Sequence, residues 1–313
     1  MVYLLFRPDN KKRAIREERF FSTASLRGYT CASLCSFFTV GFTYAVQGSG
    51  ANLWRTFGMA IGLSLMGWIW SVFCYQWECR DGHLPNIRQT FSSKEGSQSP
   101  QRLVRELILV VFALMATVVI LMQTTRFSIL SMIPLVIVST CIVYFALQGA
   151  FGSHFLPKLS HFVANLHHSG KELLLMLSVG VLVKVIKDSE AGEWFLSRFF
   201  ASIQILHIPQ YTAMTLLVIL LSFAGLPPLS SIILIAGLIE VMPLSTSPEL
   251  VALALTTGTA IAQSVAPMTV VQMNMSQING YSLQQNSLQW NALYSLGLFL
   301  LSQLFIAFWS RAV

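Results

Sequence analysis

Charge is scarce in this chain. Only 11% of its 313 residues are Asp, Glu, Lys or Arg, less than half of the roughly 25% usual in soluble domains. So little charge excludes an ordinary water-soluble fold. Between Phe199 and Ser310 Lys and Arg are missing altogether, and the acids there are Glu240 and Glu249. The five cysteines, Cys31, Cys35, Cys74, Cys79 and Cys141, lie in or beside apolar runs without C-x-x-C spacing, so they read as small packing residues and not as a zinc or redox motif. Paired carboxylates and the H-E-x-x-H motif are also missing. No enzymatic activity, cofactor or metal is expected. The first 27 residues carry too much charge to hold an apolar signal core, so no cleavable signal peptide is expected.

What is present is hydrophobicity, 54% of the residues, gathered into runs of about 15–23, near the roughly 20 that cross a hydrocarbon core as helix. Lipid offers the backbone no hydrogen-bond partner, so spanning segments fold as helices. The sequence predicts an all-α, polytopic transmembrane protein of about eight to nine apolar segments, with the lipid bilayer as its first partner.

The net charge of +7 invites a nucleic-acid reading until the basic residues are placed along the chain. Arg7, Lys11, Lys12, Arg13, Arg16, Arg19 and Arg27 precede the first apolar run, and Arg80, Arg88, Lys94, Arg102 and Arg105 follow the second. Twelve of the 20 basic residues thus flank spans. The positive-inside rule then places the N-terminus in the cytoplasm, and the expected location is a multi-pass protein of the plasma membrane. No nucleic-acid partner is expected, because such a partner needs a basic patch on a soluble fold.

Four regions follow along the chain: a basic cytoplasmic segment at 1–28, a four-helix membrane region at 29–147 with a cytoplasmic loop at 77–105, an interfacial linker at 148–172, and a membrane region at 173–313. In the second, Tyr29–Gln47, Phe57–Gln76, Leu107–Met122 and Ile129–Leu147 read as ordinary spans. The linker carries His154, His161, His167 and His168; without accompanying Cys, Asp or Glu before Glu172 and without a compact ligand spacing, it reads as a solvated or headgroup-level face. Within the last region Leu173–Ile186 is a fifth apolar run, and Trp194–Leu206 suits an amphipathic surface helix.

The last region also contains two breaks. Tyr211–Ala224 and Leu229–Val241 flank Gly225-Leu226-Pro227-Pro228. Each arm is too short to cross about 30 Å at 1.5 Å per residue. They read as a re-entrant hairpin or as two locally thinned spans. Farther on, Ser247-Pro248-Glu249 opens a helix with a polar N-cap, Pro at the first position and an acid in the first turn. That helix runs through Leu250–Ala262 and meets Gln263-Ser264-Val265-Ala266-Pro267. Pro267 frees carbonyls near Gln263 and Ser264, which in a membrane only protein or a water-filled cavity can receive. A polar run beside such a break reads as a solute or ion site, or as plain helix packing by small residues.

In this order of parts, a hairpin broken at Gly225–Pro228, a helix unwound at Ser264–Pro267 and a final span from Trp290, residues 172–313 resemble the C-terminal repeat of the ion transporter superfamily of citrate, dicarboxylate and arsenite carriers. The resemblance implies a secondary transporter, or a transporter subunit, for a small solute such as an organic or inorganic anion. It implies a substrate site built from Ser222, Gly225, Pro227, Ser230 and Ser231 at the first break and Thr257, Thr259, Gln263, Ser264 and Pro267 at the second. Neither break holds the Ser-Asn-Thr triplet of the sodium-binding members. Because the family builds its site from two inverted repeats, the resemblance also implies a second repeat, from a homodimer or a partner subunit. The alternative function is a membrane interaction, assembly or sensor subunit whose broken helices only pack.

Overall fold

The computed structural model describes residues 11–36, 39–78, 129–147, 188–205, 208–239 and 246–312, with scattered positions between 105 and 185. Residues 79–104 of the expected cytoplasmic loop at 77–105, and nearly all of the histidine-bearing linker, lie outside the described residues. Every element among the described residues is a helix.

Among the described residues, four helical stretches are long and apolar enough to cross a membrane: Glu18–Ser49, Leu53–Glu78, Pro248–Asn279 and Gln285–Arg311. They are compatible with a membrane protein. Their outward faces agree. Leu65, Trp68, Ile69 and Phe73 on one helix and Leu296, Leu300, Leu304 and Phe308 on another are exposed, an apolar stripe on each that water disfavours and lipid accepts. The inward faces carry small and hydroxyl residues such as Thr30, Ser33, Ala60, Gly67, Ser295 and Ser302, as helix contacts in membranes do.

The chain divides into two compact units. Residues 86–178 form one of them. The other, 1–85 with 179–313, contains helices α1 (Lys11–Cys35), α2 (Val40–Ser49) and α3 (Leu53–Glu78). Helix α4 (Ile129–Leu147) belongs to the 86–178 unit, and its 19 residues coincide with the fourth apolar run. In the larger unit α5 (Glu190–Ile205), α6 (Gln210–Phe223), α7 (Pro228–Ile239), α8 (Pro248–Val265), α9 (Val270–Asn279) and α10 (Trp290–Ala312) follow in order. A five-residue π-helical turn, Gln285–Gln289, leads into α10.

Helix α8 is the axis of the larger unit. All residues from Leu250 to Ala262 are buried, so this mostly apolar helix is enclosed on every side within the bundle. It packs against α1, α2, α3, α6, α7 and α10. Its start follows the sequence reading: Ser247 is the N-cap in extended conformation, Pro248 occupies the first turn and Glu249 supplies the acid. The Ser247 hydroxyl makes no capping bond, and its carbonyl accepts from Leu250 N and Val251 N instead, both at 3.1 Å.

The first apolar run is not the uninterrupted span expected from the sequence. It is divided between α1 and α2 around Ser36–Thr39. Thr39 causes part of this: its hydroxyl donates to Ser36 O at 2.6 Å and its backbone N to the same oxygen at 3.0 Å. Local hydroxyl bonds of this kind compete with the helical ladder.

Between α6 and α7 the short arms form a hairpin. Leu226 N donates to Leu221 O at 3.0 Å and Gly225 N to Ser222 O at 3.3 Å, the paired bonds of a Schellman end. Gly225 has φ +102°, where side chains strain the backbone. Pro228 then opens α7 at a position that needs no N–H donor. At the far end of α6, Gln210 accepts from Thr246 at 3.3 Å and Thr212 donates to Gln303 at 2.8 Å. This arm therefore starts near the Pro248 end of the bundle, and at 1.5 Å per residue it reaches only about 21 Å inward. Gly225→Ala is expected to lower stability by about 1–2 kcal/mol, measured as thermal unfolding in detergent. Unchanged melting would show that the hairpin does not depend on this φ.

Candidate functional site

Three interruptions surround α8: the α1–α2 break, the hairpin tip, and the break between α8 and α9. Helix α8 continues to Val265, three residues past Ala262, because Ala266 N still reaches Ala262 O at 2.8 Å. Ala266 then turns extended, φ −77° and ψ 125°, as the residue before a proline prefers. Thr269 restarts the helix, its side chain accepting from Gln272 N at 3.3 Å.

The carbonyls that Pro267 strands are met by protein. Gln272 Nε2 donates to Ser264 O at 2.7 Å and to Gln263 O at 3.4 Å, and the Thr269 hydroxyl donates to Gln263 O at 3.4 Å. The Ser264 hydroxyl bonds to Ser295 on α10 at 2.7 Å and to Ile261 O at 2.8 Å. Two acceptors stay unmet. Gln263 Oε1 and Gln272 Oε1 are buried without a hydrogen-bond partner, although the Gln263 amide stands against the Tyr29 phenol. A buried carbonyl oxygen without a donor costs about 1–3 kcal/mol, and such atoms call for a water, an ion or a ligand.

The remaining site residues are placed differently. Ser222 is buried, and its hydroxyl donates to Val218 O at 2.8 Å within its own helix. Ser231 is bonded to Pro227 O at 3.3 Å, Thr257 to Leu253 O at 2.7 Å and Thr259 to Leu255 O at 3.1 Å. Ser230 is buried near the start of α7. These bonds occupy the hydroxyl protons, leaving the oxygens as acceptors. Gly41 brings α2 close to both α7 and α8, since a Cβ there would lie 3.5 Å from Thr259 and 3.6 Å from Ile232. Among the described residues no hydrogen bond joins Gly225–Pro228 to Gln263–Pro267: the first break bonds within its hairpin, the second to α9 and α10.

Sequence reasoning missed Gln272 and Ser295 as partners of the break. It also missed a polar cluster at the opposite end of the bundle from Pro248. There Arg27, buried on α1, donates to Glu78 of α3 at 2.7 Å, to Trp290 O at 3.2 Å and to Asn291 at 3.4 Å. Its guanidinium also lies over the Tyr294 ring at 5.3 Å. Asn291 in turn donates to Asn286 O at 2.6 Å, one of the carbonyls in the π-helical turn. Asn279 Nδ2 bonds Asn286 at 2.7 Å and Ser22 at 3.1 Å. Nearby, the Tyr281 phenol donates to Glu18 at 2.9 Å, and burial together with that carboxylate pushes it up to about 12. It stays protonated across the physiological range.

The arrangement thus pairs a sealed polar cluster at one end with two unmet acceptors at a proline break inside the bundle. No family model matches this chain, and no curated protein or solved structure was found to be similar to it.

Proposed function

We propose that the chain is a secondary carrier, or a subunit of one, that holds a small solute at the α8–α9 break. The observation that carries this reading is the pair of buried, unpartnered oxygens, Gln263 Oε1 and Gln272 Oε1, beside a broken helix in an otherwise wholly buried segment. Broken helices at this kind of depth are where membrane carriers bind their solutes. Acceptors call for donors. The solute therefore presents N–H or O–H groups, as ammonium, small amines, amides and polyols do. A bare carboxylate or oxyanion would meet oxygens of the same polarity at this break.

The reading includes a multi-pass protein of about eight to nine segments in the plasma membrane, its N-terminus cytoplasmic, and a second copy or partner subunit supplying the other half of an alternating-access machine. The resemblance to the ion transporter superfamily supports it through the order of hairpin, unwound helix and final span. The assembly-subunit reading rests on a different observation: the hydroxyls of Ser222, Ser231, Thr257 and Thr259 are already bonded within their own helices.

Uptake into proteoliposomes, with binding followed by thermal shift, separates the two readings. The panel is ammonium, methylamine, formamide, urea and glycerol against small carboxylates and oxyanions. Gln263→Met removes one unmet oxygen at nearly equal volume. It is expected to hold or raise stability, by up to about 3 kcal/mol, while weakening solute binding about tenfold. If no donor-bearing solute binds or enters, or if Gln263→Met binds it as the unaltered protein does, the assembly-subunit reading prevails.

A further inference from the structure

At the Pro248 end of the bundle lies a cavity of about 370 Å³, lined by Trp54, Arg55, Gly58, Met59, Ser247, Glu249, Leu250 and Trp309. It is far along α8 from the break and shares no residue with it. Two features make it more than a surface dent. The first is separated charge: Arg55 and Glu249 line the same cavity, yet among the described residues the ion pair within 4 Å is that of Arg27 with Glu78. Opposite charges that share a cavity without closing on each other leave each free to meet a counter-charge on a ligand. The second is Gly58. A Cβ built there finds no atom within 4 Å, so the glycine opens the α3 wall of the cavity where a side chain would project into empty space.

The surroundings select the ligand. Arg55 sits in the first turn of α3, whose N-terminus Asn52 caps by accepting from Trp54 N at 3.0 Å and Arg55 N at 3.2 Å. The positive helix end and the guanidinium together favour a phosphate. On the other side Glu249 favours a cation, and tryptophan faces attract ammonium groups within about 6 Å. Trp54 is half-exposed and lines the cavity together with Trp309, and in membrane proteins tryptophans collect at the membrane–water boundary. The volume lies in the range of about 300–1,000 Å³ that small-ligand sites occupy.

We propose that this cavity binds a phosphate–ammonium zwitterion, with the phosphate on Arg55 and the ammonium between Glu249 and the two tryptophans. A phospholipid headgroup and free phosphoethanolamine share this chemistry. Native mass spectrometry of the detergent-purified protein, with phosphatidylethanolamine and phosphatidylglycerol of identical acyl chains added in equal amounts, tests the lipid source. Calorimetric titration with phosphoethanolamine tests the soluble one. Phosphatidylethanolamine is expected to be retained in preference to phosphatidylglycerol. Glu249→Gln is expected to erase that preference, and Arg55→Gln to lower retention of both lipids about tenfold. Gly58→Leu fills the cavity from a position with open space, so it is expected to reduce retention at unchanged melting temperature. Binding of phosphoethanolamine without lipid retention would assign the site to a soluble solute. The proposal fails if neither probe binds, if phosphatidylglycerol binds as well as phosphatidylethanolamine, or if Gly58→Leu and Glu249→Gln bind as the unaltered protein does.

Discussion

Gly258→Leu is expected to lose the native fold or to destabilise it by about 3 kcal/mol or more. The glycine lies in the middle of α8, where a Cβ would stand 2.9 Å from Thr215 O and 2.9 Å from Val218 Cβ on α6. Backbone cannot swing aside as a flexible side chain can. Inserting even one methylene into a packed core costs about 1–3 kcal/mol, and leucine adds four carbons. Moving α6 away would also break the bond from the Thr215 hydroxyl to Ala254 O, at 3.1 Å, one turn up the same seam. Ala254 and Gly258 form a small-x-x-x-small contact that lets two backbones approach. Gly28→Ala is the control, since a Cβ there meets nothing within 4 Å and the helix gains propensity. Thermal unfolding in detergent should separate the two variants clearly. Equal melting would mean that the hairpin is not seated on α8.

Arg27→Ala is expected to cost about 3–5 kcal/mol, the usual penalty for removing one partner of a buried ion pair. The loss exceeds one bond because Glu78 keeps its charge, while Trp290 O and Asn291 each lose a donor. The paired replacement Arg27→Met with Glu78→Leu removes both charges and keeps volume. It should recover part of the loss, because apolar groups often replace a buried pair at little cost. A double-mutant cycle of Arg27→Met, Glu78→Leu and their combination, followed by thermal or urea unfolding, measures the coupling. Additive losses in the double variant would show that the pair contributes nothing as a pair.

The parts of this fold that were legible in the sequence are those fixed by backbone chemistry at single residues. Gly225 and Pro228 announce the hairpin because the left-handed turn needs a glycine and the next helix tolerates a proline at its start. Pro267 announces the second break because its ring removes a donor whatever surrounds it. The α1–α2 break carries no such mark. Cys35, Ser36 and Thr39 are compatible with an unbroken helix, and the bend emerges from hydroxyl bonds and from packing against α7 and α8. The candidate site was legible by half. Gln263 and Ser264 follow from Pro267, but that Gln272 folds back to cap their carbonyls depends on where α9 restarts. The pairing of Arg27 with Glu78 depends on α1 and α3 lying antiparallel, with both residues at the end remote from the turn at Gly48–Asn52.

The enclosure of α8 bears on how the protein is made. In a bilayer, a helix hemmed in on all sides would turn almost no face to lipid once the bundle is complete, although by length and composition it is apolar enough to cross alone. Yet α1, α2 and α3, which wall it on one side, leave the ribosome long before it, and α10 leaves after it. Until α8 arrives, α1, α2 and α3 lack the helix that each of them packs against in the finished bundle. A truncated chain ending before Pro248 would leave these helices without that partner, which in a membrane would make it a natural client for chaperones and quality-control proteases.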